Sequence, residues 1–134
     1  MILLDTHALY WMTNDSKRLS KRAMAAIREA RGEVVTGKGG VAVAAITLWE
    51  IAWLIHNHRI VVAGSLESFL QDIVARVIVR PITPEIAAAA VRLPPSFPRD
   101  PADRMIAATA LVEGMAVVTA DAALRSCEIV STVW

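Results

Sequence analysis

Met1-Ile2-Leu3-Leu4-Asp5 is a short apolar run closed by a carboxylate, and Thr6-His7-Ala8-Leu9-Tyr10-Trp11 changes at once to a helical pattern. An apolar run without alternation reads as a strand buried on both faces, which suits the middle of a parallel sheet. A carboxylate at the carboxyl end of such a strand stands where open α/β sheets bind their ligands. The reading of the whole chain therefore turns on whether other carboxylates converge on Asp5.

Outward from this strand, helices and strands alternate. A short helix is expected over 7–12, and Ser20 is placed to cap a helix from Lys21 to about Arg31, with Ala23, Met24 and Ile27 on its apolar face and Gly32 stopping it. Residues 33–40 are Gly-rich and read as a loop or small hairpin. Gly37-Lys38 lacks the following Ser or Thr and the earlier Gly of a phosphate-binding loop. A second strand is expected over Val41–Ile46, then a helix from Thr47 to about His58. Ser65 opens another helix, with Leu66, Phe69, Leu70, Ile73 and Val74 inward. Val77–Val79 reads as a third strand. Thr83-Pro84-Glu85 starts a helix with proline at its first position. After the rigid connector Pro94-Pro95-Ser96-Phe97-Pro98, Asp100-Pro101 opens a helix that Gly114 ends. Met115–Val118 is a fourth strand, 121–125 a short helix, and Glu128–Val130 a fifth strand. The alternation predicts a three-layer α/β/α sandwich around a parallel sheet, as a single domain spanning 1–134.

Bulk properties agree with a globular protein. Hydrophobic residues make up 55% and charged residues 20%, with a mean hydropathy of +0.47, which excludes a disordered tail. The most apolar stretch, Val41 to Ile55, is too short to span a bilayer and carries Glu50, so no membrane association is expected. No leader is expected either, because the start lacks a charged region, apolar segment and cleavage site. Cys127 is the single cysteine, which fits a reducing cytoplasm. The net charge of +1 singles out no class of partner. Lys17, Arg18, Lys21, Arg22, Arg28 and Arg31 nevertheless fall in one segment, read as a solvated helix face or as a phosphate-contacting surface.

Four acids, Asp5, Glu50, Asp103 and Asp121, each follow a strand or open a helix. Each also has a structural explanation. Asp5 and Asp121 suit N-caps, Thr47-Leu48-Trp49-Glu50 matches a capping box, and Asp100 could cap the helix bearing Asp103. Together these explanations weaken, because Glu50 sits in the most apolar stretch with no Lys or Arg between Lys38 and Arg59, and an ionised carboxylate there is costly unless paired. Strands ending at Asp5 and just before Asp121 deliver both acids to one sheet edge. A concentrated negative charge built only from oxygens calls for Mg²⁺ or Mn²⁺. Acid clusters of this kind hold metals that activate water for in-line attack on a phosphodiester. From the residues alone, the chain reads as a metal-dependent phosphoryl hydrolase.

Leu3-Leu4-Asp5-Thr6-His7-Ala8-Leu9, Thr47-Leu48-Trp49-Glu50-Ile51-Ala52, Asp100-Pro101-Ala102-Asp103-Arg104 and Val118-Thr119-Ala120-Asp121 stand in the order seen in PIN-domain ribonucleases. More narrowly, the chain resembles the VapC-type toxins of bacterial and archaeal type II toxin–antitoxin systems, along essentially its whole length. The resemblance implies a strand order of 3-2-1-4-5, metal binding by Asp5 and Asp103, and Glu50 and Asp121 completing the acidic site. It also implies that Thr119 is a supporting polar residue near the metal, the structural alternative being a strand-end threonine. The implied substrates are RNAs, often structured ones such as transfer RNA, cut to leave a 5′-phosphate and a 3′-hydroxyl. Implied partners are a cognate antitoxin that covers the acidic site and a second copy in a homodimer. The Gly32–Gly40 loop departs from the family by its length.

Several other residues invite a role. His7 could touch substrate, but suits a helix start. His56-Asn57-His58 lacks the spacing of a helical zinc pair and is assigned to a helix terminus. Trp11, Trp49 and Trp53 could stack bases, although the four-residue spacing of Trp49 and Trp53 favours core or interface packing. Arg104 is read equally as a phosphate contact and as a surface residue early in its helix. A haloacid-dehalogenase-type phosphatase would need a second Asp where His7 stands. The non-enzymatic alternative is a catalytically degenerate PIN domain that only binds RNA or protein.

Overall fold

The computed structural model, which describes residues 1–34 and 39–134, sets β1 (Ile2–Leu4) at the centre of a parallel sheet. With β2 (Val41–Ala44), β3 (Ile78–Arg80), β4 (Ala116–Val118) and β5 (Thr132–Val133) it forms the order β3-β2-β1-β4-β5. Leu4 lies opposite both Val43 and Val118, so β1 and β4 end level and β2 runs one residue further. The Asp5 amide adds one more bond, to the Val118 carbonyl at 3.1 Å.

Alternate strand residues feed two cores, which is what makes β1 apolar throughout. Leu4, Val41, Val43 and Val118 face α1 (Thr6–Asn14), α2 (Lys21–Glu33), α3 (Ala45–His56) and α4 (Leu66–Val74), meeting Leu9, Ile27, Ile51 and Ile73. Leu3, Ala42, Ala44 and Val117 face α6 (Pro101–Glu113) and α7 (Ala122–Ser126), meeting Ile106, Ala110, Leu124 and the connector's Phe97. Beyond α6 lies α5 (Pro84–Arg92), joined through Ile86, Ala90 and Ala108. The expected three-layer fold and strand order are thus met. No helix among the described residues is long and apolar enough to cross a membrane.

Several boundaries differ from expectation. The second strand stops at Ala44, and α3 begins at Ala45 with no side-chain cap. Ile46 is therefore helical. Thr47 is not a cap, and no capping box joins it to Glu50. Register explains the early stop, since β2 ends one residue beyond the partner of Leu4. The third strand is shifted by one residue at its end, to Arg80. The fifth strand is Thr132–Val133 rather than 128–130. Buried Val130 packs into the α6-side core, while the ladder starts where Val117 donates to the Ser131 carbonyl at 2.8 Å.

Gly32 lies inside α2 rather than ending it. Of the Gly32–Gly40 loop, residues 35–38 lie outside the described residues. Val74, expected inward, is 43% exposed. Gly114 does end α6, in the left-handed conformation at φ 66°, which glycine adopts without steric cost. The end of α3 uses the same geometry with a costlier residue. His58 has φ 55°, and the His58 and Arg59 amides donate to the Ile55 and Leu54 carbonyls at 3.1 and 2.8 Å, a Schellman closure.

Candidate active site

Two of the four candidate acids are N-caps. Asp5 caps α1, its Oδ1 accepting from the Ala8 amide at 2.6 Å. Asp121 caps α7 through the Leu124 amide at 2.9 Å. Capping fixes each carboxylate at a helix N-terminus, whose partial positive charge favours the ionised form. Thr119, wholly buried at the end of β4, ties the two together. Its Oγ1 accepts from the Asp121 amide at 3.0 Å, and its hydroxyl hydrogen-bonds the Asp5 carboxylate.

Glu50 projects from the second turn of α3. Its partner is Thr6, whose hydroxyl donates to Glu50 Oε1. This bond was missed from sequence, because it joins positions far apart in the chain. Asp103 is the third residue of α6, after the cap Asp100, whose Oδ1 accepts from the Ala102 and Asp103 amides at 2.8 and 3.1 Å. Asp100 was expected only as a cap, yet its charge acts on both Asp103 and Glu50.

Electrostatics show that the four acids share one field. Burial pushes the Asp103 carboxyl up to about 7, and the charges of Asp100, Asp121, Glu50 and Asp5 push in the same direction. Burial also raises Asp5, against the hydrogen bonds from Thr119 and Ala8 and the charge of His7. Glu50 is raised chiefly by burial as well, with the Thr6 hydroxyl opposing. Like charges held this close disfavour ionisation, and a cation between them reverses the balance. The donor set is all oxygen, which fits a hard divalent ion. Among the described residues, no three His, Cys, Asp or Glu side chains already stand at coordinating spacing.

Comparison with known proteins follows from this geometry. A family model described as "PIN domain" matches residues 2–129. The chain belongs to the PIN-domain family. It is 46% identical over 125 residues to Ribonuclease VapC22 of Mycobacterium tuberculosis (strain ATCC 25618 / H37Rv), covering 93% of this chain and 90% of that protein. The resemblance carried by the four acidic segments is thereby borne out. Among solved structures, VapBC2 from Rickettsia felis bound to a promoter DNA fragment superposes with a TM-score of 0.70 at 15% identity, covering 98% of this chain and 97% of that one. A toxin–antitoxin complex from Klebsiella pneumoniae gives 0.66 at 18% identity, with coverages of 98% and 97%. FitAcB from Neisseria gonorrhoeae gives 0.63 at 22%, with coverages of 98% and 96%. At these identities the likeness concerns the fold.

Around the acids of this PIN domain, the remaining candidates divide. Arg104 turns its guanidinium to the carbonyls of Ala90 and Leu93 at 3.2 and 3.3 Å, and of Phe97 and Pro94 at 3.4 and 3.5 Å. It clamps the end of α5 and the connector that leads to Asp100. His7 is exposed beside Asp5, with its ring 5.7 Å from that of Trp11. Trp49 and Trp53 are 60% and 48% exposed, so neither is a core residue. The 56–58 segment is the helix terminus expected, with Asn57 as the cap.

Proposed function

We propose that residues 1–134 form one PIN domain that acts as a metal-dependent endoribonuclease toxin of a type II toxin–antitoxin system. The observation that carries this reading is Asp103, raised to about 7 by its own burial and by Asp100, Asp121, Glu50 and Asp5. Acids from four separate elements act on one another at the carboxyl edge of the sheet, where an α/β fold binds its ligands. The name of the relative Ribonuclease VapC22 supports RNA as the substrate. The toxin–antitoxin complexes among the structural neighbours support a cognate antitoxin as partner. A structured RNA such as transfer RNA, a homodimer and a cytoplasmic setting complete the proposal.

Asp5, Glu50, Asp103 and Asp121 would hold Mg²⁺ or Mn²⁺. The bound ion supplies a Lewis acid and a water of lowered pKa. Asp5 and Asp121 are fixed as carboxylate ligands by their capping bonds, and Thr119 keeps their separation constant. Thr6 fixes the rotamer of Glu50. The apolar floor beneath them, Leu4, Val43 and Val118, excludes bulk water.

The test is cleavage of total bacterial RNA by the purified chain, free of antitoxin, with Mg²⁺ or Mn²⁺ against EDTA. Asp5→Ala and Asp103→Ala are run alongside, with their folding checked by circular dichroism. Discrete fragments that vanish with EDTA and with both variants are expected. Cleavage that persists in the folded variants would overturn the acidic site. A folded wild-type chain that binds RNA without cutting it would instead favour the degenerate binding module.

A further inference from the structure

A cleft of about 600 Å³ opens from Asp5 and Asp121 and runs on past residues to which the phosphodiester chemistry gives no role. Asp5, Asp121, His7, Trp11, Arg18 and Arg59 line it. We propose that this cleft holds one unpaired nucleotide of the RNA, flanking the phosphate to be cut. The inference rests on the nuclease reading and deepens it.

Three features carry it. First, the volume falls within the range of roughly 300–1,000 Å³ typical of sites for small organic ligands. Second, the cleft is polarised. No ion pair ties Arg18 or Arg59 to a carboxylate among the described residues, so two cations face two acids across the same space. A nucleotide matches that lining, its phosphate meeting the arginines and its base the rings. Third, the wall is aromatic and pre-positioned. The Arg18 guanidinium lies over the Trp11 ring at 4.6 Å, and Trp134 steadies Trp11 from 5.6 Å between ring centroids, tilted by 52°. His7 adds a second ring, tilted by 47°. Bases stack on such rings and on guanidinium planes only when unpaired.

Arg59 owes its place to the closure of α3. The left-handed His58 reverses the chain after α3, and the Arg59 amide bonds back to Leu54 at 2.8 Å. The arginine is thereby anchored at its backbone while its side chain stays exposed.

The experiment is binding of fluorescein-labelled hexaadenylate RNA, read by anisotropy in Mg²⁺, to the Asp103→Asn chain, with intact RNA confirmed on a gel after each titration. Arg18→Gln and Arg59→Gln in that background should each weaken binding about fivefold or more, and lower the salt dependence by about one charge. Trp11→Leu should weaken it similarly, whereas Trp11→Phe, which keeps a ring, should retain most of the affinity. An RNA duplex of the same length should bind weakly and show no difference among these variants. Unchanged hexaadenylate binding in both arginine variants would overturn the cleft. Duplex binding that falls with the same substitutions would overturn the unpaired nucleotide. If the wild-type chain cuts RNA while the arginine variants bind normally, the cleft fails and the nuclease stands. Weakened binding by the variants with no cleavage by wild type has the opposite meaning.

Discussion

The Thr6 hydroxyl, at the first position of α1, donates to Glu50 Oε1 from α3. A residue just after one acid thus fixes the rotamer of another, and its hydrogen bond opposes the burial that raises the Glu50 carboxyl. Thr6→Val should lower cleavage about tenfold, equivalent to about 1.4 kcal/mol of barrier. It should also shift the rising limb of the pH–rate profile to higher pH, as Glu50 loses a donor. Thr6→Ser should restore both. A Thr6→Val enzyme with an unchanged pH profile would show that the bond does not tune Glu50.

Asp103 makes the metal-free protein sensitive to pH. Its folded carboxyl titrates near 7 instead of the ordinary 3.8, so between about pH 4 and 7 the folded state binds more protons than the unfolded state. Stability therefore falls as pH rises through that window. Asp103→Asn removes the cost, and should raise the Tm of the metal-free chain at pH 8 by a few degrees, with little change at pH 4. Thermal melts in EDTA at the two pH values test this, and an equal effect at both would count against it.

Arg104 separates two roles by experiment. Its guanidinium satisfies carbonyls at the end of α5 and along the connector, where charged hydrogen bonds contribute about 1.5–3 kcal/mol. Arg104→Gln should reduce urea stability by about 2 kcal/mol and leave KM for RNA nearly unchanged under conditions where the variant is folded. A phosphate contact would give the reverse, a raised KM at unaltered stability.

Thr47 is fully buried and its hydroxyl has no hydrogen-bond partner among the described residues. Burying such a group unpaired is unfavourable by about 1–3 kcal/mol. Thr47→Val keeps the shape and should raise stability by about 1 kcal/mol, read from the midpoint of urea unfolding. A destabilised variant would show that the hydroxyl is satisfied.

What could be read in advance was what depends on local chemistry and on strand burial. The unbroken apolarity of Ile2–Leu4 gave away a central strand, since both faces carry a helix layer. Asp5, Asp100 and Asp121 were legible as caps because a cap is a local rule, and all three cap helices in the fold. Local rules also misled. Thr47 and Glu50 have the spacing of a capping box, but β2 ends one residue past the partner of Leu4 and the helix starts there, two residues earlier. Ile129 and Val130 read as strand because they are apolar, whereas they pack on the core and leave pairing to Thr132–Val133. The Thr6–Glu50 bond and the Arg104 clamp depend on tertiary approach, and no spacing announces them. The outward face of Trp49 and Trp53 is likewise a tertiary outcome.

The central position of β1 also imposes a timetable on synthesis. β1 is made before any other strand, yet its two neighbours begin at Val41 and Ala116. Until the latter is made, one edge of Ile2–Leu4 has no strand to pair with, and Asp5 lacks both Thr119 and Asp121. A nascent chain on the ribosome therefore carries the first acid long before it carries a site. The four acids therefore come together only once translation has passed residue 121, and the order of the strands sets when they first act on one another.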